Sequence, residues 1–151
     1  MSLQLSSFPA LPARQSEAPL SQQGQDLHRS LVKLSRRAQQ VFLLSRLDNL
    51  PYATIANVLG IEVEVVEQAM VRVLQHCRRQ EAGSLSVEES VNEQASRWYV
   101  HLQSPHATAS QRIEFRHWLD AEPAHLAAFE ATERLWRRLQ APAMVLGANG
   151  W

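Results

Sequence analysis

The sequence predicts an all-α fold arranged as two small modules, and three observations carry that expectation. Apolar residues recur at helical spacing from Leu27 to Leu139. Helix-start signals punctuate the same span: Ser35, Ser86 with Glu89, Thr108 with Gln111, and prolines at Pro51 and Pro123. No stretch shows the Val-, Ile- and Thr-rich alternation that a sheet requires.

The elements follow in order. Met1 to Gln25 is rich in Ser, Gln and Pro without periodicity and is expected to be a disordered tail. "DLHRSLVKL" sets Leu27, Leu31 and Leu34 on one face, and Ser35 suits the cap of the next helix. "RRAQQVFLLSRL" turns Ala38, Val41, Phe42, Leu44 and Leu47 inward. "DNLP" breaks the chain. "YATIANVL" is short and ends at Gly60, the residue type that tolerates a left-handed turn. "IEVEVVEQAMVRVLQHCRRQ" then offers Ile61, Val66, Met70, Val73 and Leu74 as its inner face. These four helices make a first module over 26–80.

Residues 81–85 form a linker, and a second module of three helices is expected over 86–140. Its helices carry Val91, Ala95, Trp98 and Leu102; then Ile113, Phe115, Trp118 and Leu119; then Leu126, Phe129, Leu135, Trp136 and Leu139. "SPHA" and "DAEP" separate them. Residues 141–151 are expected to be a loose tail, with Trp151 a lone aromatic at the end.

Bulk properties narrow the function. The chain has 151 residues, 45% of them apolar, with 15 basic and 15 acidic side chains. Neutrality hides a division: Arg29 to Arg79 holds eight basic and four acidic residues, whereas Leu85 to Gln140 holds six and eight. The halves are therefore suited to attract one another. Cys77 is the only cysteine, so an internal disulfide is excluded and a reducing compartment is expected. The longest apolar run, "VFLL", is far short of the roughly 20 residues a membrane span needs. No basic region followed by an apolar core marks a signal peptide. A cytoplasmic protein without membrane contact is the expectation.

"RRAQQVFLLSRLDNLPYATIANVLGI" followed by "VVEQAMVRVLQHC" resembles region 4 of extracytoplasmic-function sigma factors, closest to the iron-uptake branch. The resemblance covers about a third of the chain. It implies a helix-turn-helix that reads the −35 promoter element and touches RNA polymerase. Region 2, which melts the −10 element in that family, has no counterpart in this sequence.

The resemblance also exposes an anomaly. The recognition helix of a helix-turn-helix enters the major groove with its N-terminal part, and in this family those positions are mostly Ser, Thr and Lys. Here Glu62 and Glu64 replace the small hydroxyl residues and Glu67 replaces Lys. Carboxylates lose the counterion release that drives binding to phosphates and add repulsion. One Glu can accept from a cytosine amine; three together argue for weak DNA binding or none. Glu62, Glu64, Val65, Glu67 and Gln68 are then a candidate protein-binding face. The alternative is a DNA-binding helix-turn-helix regulator whose glutamates are a solvated face. It would hold phosphates through Arg72, His76, Arg78 and Arg79.

"EQASRWYVHLQSPHATASQRIEFRHWLDAEPAHLAAFEATERLW" resembles the N-terminal, anti-sigma domain of FecR-like regulators of iron uptake. The resemblance rests on Ala95, Trp98, Leu102, Thr108, Phe115, Trp118, Leu119, Pro123, His125, Ala128, Phe129 and Trp136. It implies a helical bundle that binds sigma region 4. The membrane helix and periplasmic domain that follow in that family have no counterpart in this sequence. Trp98, Trp118, Phe129 and Trp136 are candidate partner-binding aromatics, since Trp is enriched at hot spots, or core residues.

No enzyme is suggested and no cofactor or metal is expected. His101, His106 and His117 lack a repeated ligand spacing, and His125 suits capping or packing. Cys77 and His76 are adjacent on a helix and point apart. A region 4-like module joined to a domain type that binds region 4 predicts docking, within one chain or swapped in a homodimer. Arg97, Arg112, Arg116, Arg134, Arg137 and Arg138 are the expected counter-ions for the glutamates. Capture of another chain's region 4, or of RNA polymerase, is the reading in trans. The five-residue linker spans roughly 12 Å, which makes contact between the modules effectively a millimolar event.

Overall fold

The structure is a computed structural model that describes residues 19–82 and 86–148, and side chains over 19–79 and 89–148. The described residues form eight helices and no strand: α1 (Gln22–Val32), α2 (Arg36–Arg46), α3 (Tyr52–Leu59), α4 (Val63–Ala82), α5 (Ser86–His101), α6 (Ala109–Ala121), α7 (Pro123–Arg138) and α8 (Gln140–Ala148). The all-α expectation holds.

Local chemistry sets the ends. The Ser35 side chain accepts the Ala38 N–H at 3.1 Å. Gln39 reaches back from α2 and donates to the carbonyls of Leu31, Val32 and Leu34, satisfying acceptors that the end of α1 leaves open. Pro51 precedes α3, and Gly60 closes it at φ 68°, where the Ile61 N–H returns to the Ala56 carbonyl. Thr108 and Gln111 make a complete capping box on α6, and Pro123 occupies the first turn of α7. The Ser86 side chain, and with it the Ser86–Glu89 box, lies outside the described side chains, and 83–85 of the linker and Trp151 lie outside the described residues.

Four expectations need correction. First, α1 begins at Gln22, so the tail does not extend to Gln25. Ser21 caps it by accepting the Gly24 N–H, and Gly24 is buried where a side chain would press on Leu20. Second, α4 continues to Ala82, into the expected linker. Third, residues 140–148 are helix rather than loose tail. Ala143 and Leu146 bury there against α1 and α2, and Pro142 sits in the first turn, where its missing N–H costs little. Fourth, Ile113 of α6 and Leu126 of α7 are 60% and 46% exposed rather than turned inward.

α4 is the spine. It packs on α1, α2 and α3 to complete the helix-turn-helix module, and on α5 and α7 of the second module. α5 and α7 make the most extensive contact in the molecule, and α8 returns to α1 and α2. One apolar cluster therefore runs through both modules, from Leu27, Phe42, Ile55 and Leu74 to Val100, Leu135, Leu139 and Ala143.

Candidate functional site

Residues three or four apart share a helix face, and α4 presents two. Val66, Ala69, Met70, Val73, Leu74 and Cys77 are buried. Beside them Glu64, Glu67, Val71, Gln75 and Arg78 form a flank that faces the second module. α4 and α5 run antiparallel, so the start of the recognition helix meets the end of α5 and the start of α6.

That meeting gives the glutamates their partners. His101 Nδ1 lies 3.0 Å from Glu67 Oε1, and its Nε2 lies 2.8 Å from Gln111 Oε1. The Glu67 and His101 side chains are 17% and 25% exposed. His106 Nδ1 lies 3.3 Å from Glu64 in a more exposed pair. The hydrogen bonds to Glu67 and Gln111 hold the His101 proton more tightly than in free histidine, with burial and Arg112 opposing. Glu62 and Gln68 are exposed and Val65 is half-buried. The cleft at this end, about 480 Å³, is lined by Glu64, Glu67, Gln94, Trp98, His101 and Glu114 among others.

The expected arginine counter-ions are not the ones used. Arg97 pairs with Glu93 one turn back on its own helix, and Arg112 donates to the Leu102 carbonyl at 3.5 Å. Arg116, Arg134 and Arg137 are exposed. Imidazoles stand in for guanidinium because the register of α4 on α5 brings His101, and not Arg97, level with Glu67. No spacing in the sequence announces a pair 34 residues apart.

Further along the flank the partners are polar and more firmly held. Arg78 donates to Asn92 Oδ1 at 2.5 Å, to Thr132 Oγ1 at 2.7 Å and to the Ala128 carbonyl at 3.4 Å. The Ser96 hydroxyl donates to Gln75 Oε1 at 3.1 Å in a buried pair. Arg78 thus belongs to the seam between modules and is withdrawn from the candidate phosphate contacts. The other three stay together. Arg72 and Arg79 are exposed and His76 half-buried, and they share a second cleft with Arg97. Arg79 pairs there with Glu89 at 2.5 Å.

The aromatics divide. Trp136 packs edge-on against Phe42 of α2 at 5.8 Å, and the Arg46 guanidinium sits over it at 5.2 Å while donating to its carbonyl. Burial lowers the proton affinity of Arg46 from its ordinary value and raises those of the Tyr52 and Tyr99 phenols. Trp98, Phe115, Phe129 and Tyr99 make a chain of ring contacts inside the second module. Trp118 donates to Gln94 at 2.8 Å and stacks on His125, whose ring nitrogen bonds the Trp118 carbonyl. Of the four candidate aromatics, Trp136 is the one whose ring packs on a ring of the first module.

Among the described residues no three His, Cys, Asp or Glu side chains are grouped to hold a metal, and no helix is long and apolar enough to cross a membrane. Residues 24–77 match the family described as sigma-70, region 4, a non-enzymatic transcription-related family. Residues 93–135 match a domain of unknown function, DUF4880, which is compatible with a FecR-associated N-terminal domain. Neither the curated proteins nor the solved structures gave a match. The first module is a sigma-70 region 4-like helix-turn-helix domain, and it ties the chain to sigma-factor-related transcription regulation.

Proposed function

We propose that this chain is a cytoplasmic regulator of sigma-dependent transcription that acts chiefly through protein contacts. In this reading its anti-sigma-like second module docks in cis on its own region 4-like module and keeps the recognition helix from DNA. The observation that carries it is the flank of α4: Glu67 bonded to His101, and Arg78 to Asn92 and Thr132.

Geometry supports the loss of DNA reading as strongly as charge does. A major groove about 12 Å wide admits one helix of about 10–12 Å diameter. With the end of α5 and the start of α6 alongside it, the tip of α4 no longer enters alone. Glu62, Glu64 and Glu67 add repulsion at the same tip.

The test is a mobility shift of the full chain on a −35-type duplex at about 50 mM salt, where phosphate contacts are strongest. No retardation is expected. Sequence-specific retardation would overturn the reading in favour of a DNA-binding regulator, for which the Arg72, His76, Arg79 and Arg97 cleft supplies the cations. Sedimentation separates docking within one chain from a swapped homodimer. Co-purification tests action in trans on another sigma region 4 or on RNA polymerase.

A further inference from the structure

A histidine whose two ring nitrogens both face oxygen acceptors satisfies both only when it carries two protons. His101 is in that position. Glu67 offers a carboxylate to Nδ1 and Gln111 offers its side-chain oxygen to Nε2. The oxygen of Gln111 is the atom presented there because it also accepts the Thr108 backbone N–H at 3.0 Å, which no amide nitrogen could do. Neutral imidazole keeps one N–H, so one of the two contacts becomes lone pair against lone pair.

We propose that Glu67–His101–Gln111 is a proton-dependent clasp that regulates access to the recognition helix, closed with the imidazolium and loosened with neutral imidazole. It rests on the cis-docked reading above and adds its regulation. His106 against Glu64 is an accessory pair three residues along the same helix, more exposed and so weaker. The clasp spans three elements: the start of α4, the end of α5, and the cap of α6 through the Thr108–Gln111 box.

The charged groups around His101 act in both directions. From α4, Glu67 favours the proton directly, and Glu64 lines the same cleft. From α6, Arg112 disfavours it, while Glu114 shares the cleft. On α5 itself Arg97 lines that cleft, tied to Glu93. On α7, Glu133 and Arg137 act on Tyr99. The carboxylate and amide contacts outweigh the opposing groups, so the folded chain binds the proton more tightly than the unfolded chain. Such a group stabilises the closed state fully below the unfolded histidine value of about 6.5, and that contribution is lost as pH rises through the higher folded value. The window therefore opens above about pH 6.5.

The test is amide hydrogen exchange on the full chain over 62–71, from about pH 6 to about pH 9, corrected for intrinsic base catalysis and compared with α2. Wild-type protection over 62–71 is expected to fall several-fold relative to α2 across that range. His101→Gln is expected to show no such relative fall. Because His101→Gln could perturb folding, proton NMR of the His101 ring in wild type and Glu67→Gln supplies a second measurement. The wild-type midpoint should lie above that of free histidine, and Glu67→Gln should lower it. High protection that does not vary with pH, or an identical fall in His101→Gln, would overturn the clasp while leaving docking intact. Low protection at every pH would overturn docking and the clasp together. A His101 midpoint unmoved by Glu67→Gln would overturn the clasp alone.

Discussion

Arg78 leaves α4 near its end and reaches acceptors on two helices of the second module, Asn92 on α5 and Thr132 with the Ala128 carbonyl on α7. Thr132 is fully buried and its own hydroxyl donates to the Ala128 carbonyl, so the guanidinium completes a network rather than decorating a surface. Hydrogen bonds to a charged group are worth about 1.5–3 kcal/mol, and acceptors left buried add a desolvation cost. Arg78→Ala is expected to lower stability by about 2–3 kcal/mol in urea unfolding. Arg78→Lys should recover only part, since a single ammonium cannot span the separate acceptors that a fork reaches. The contrast with Glu64 and His106 is instructive: that pair is half-exposed at both ends, and Glu64→Gln should change stability little.

At the scale of the element, the turn between α3 and α4 and the last helix α8 carry opposite lessons. The turn was legible, because Gly after a short apolar run marks a left-handed cap, and Gly60 takes that conformation with nothing within 4 Å of a would-be side chain. Gly60→Ala should therefore cost about 1–2 kcal/mol through backbone strain alone, with no clash, measured by thermal unfolding. Helix α8 was not legible. "QAPAMVLGA" has no capping residue, an early proline and small residues, and its apolar character has no clear period. Its order comes from the groove that α1 and α2 offer it, where Leu146 is nearly fully buried. Leu146→Ala should destabilise by about 2–5 kcal/mol, and the loss should appear in the first module although the residue lies beyond the second. Helix-resolved hydrogen exchange of α1 checks that.

At the scale of the molecule, one apolar cluster serves both modules, with Phe42 against Trp136 and Arg46 over Trp136 as its bridge. A shared core predicts one cooperative transition: far-UV dichroism and tryptophan fluorescence should coincide on urea unfolding. Trp136→Ala should lower stability by about 3–5 kcal/mol and make the two probes separate as the modules uncouple. The sequence by itself determined the helices from α1 to α7, the caps at Ser35, Gly60 and Thr108, the inner face of α4 and the two family resemblances, because each depends on residues within a turn or two of one another. It also exposed the anomaly of Glu62, Glu64 and Glu67, since charge type at a known helical position needs no coordinates. Only the tertiary structure decided what those acids face, which arginine is locked in the seam, and where the last helix rests. Those outcomes depend on the register of α4 against α5 and on the return of α8 to α1. Both are set by packing between residues tens of positions apart, and no local periodicity encodes them.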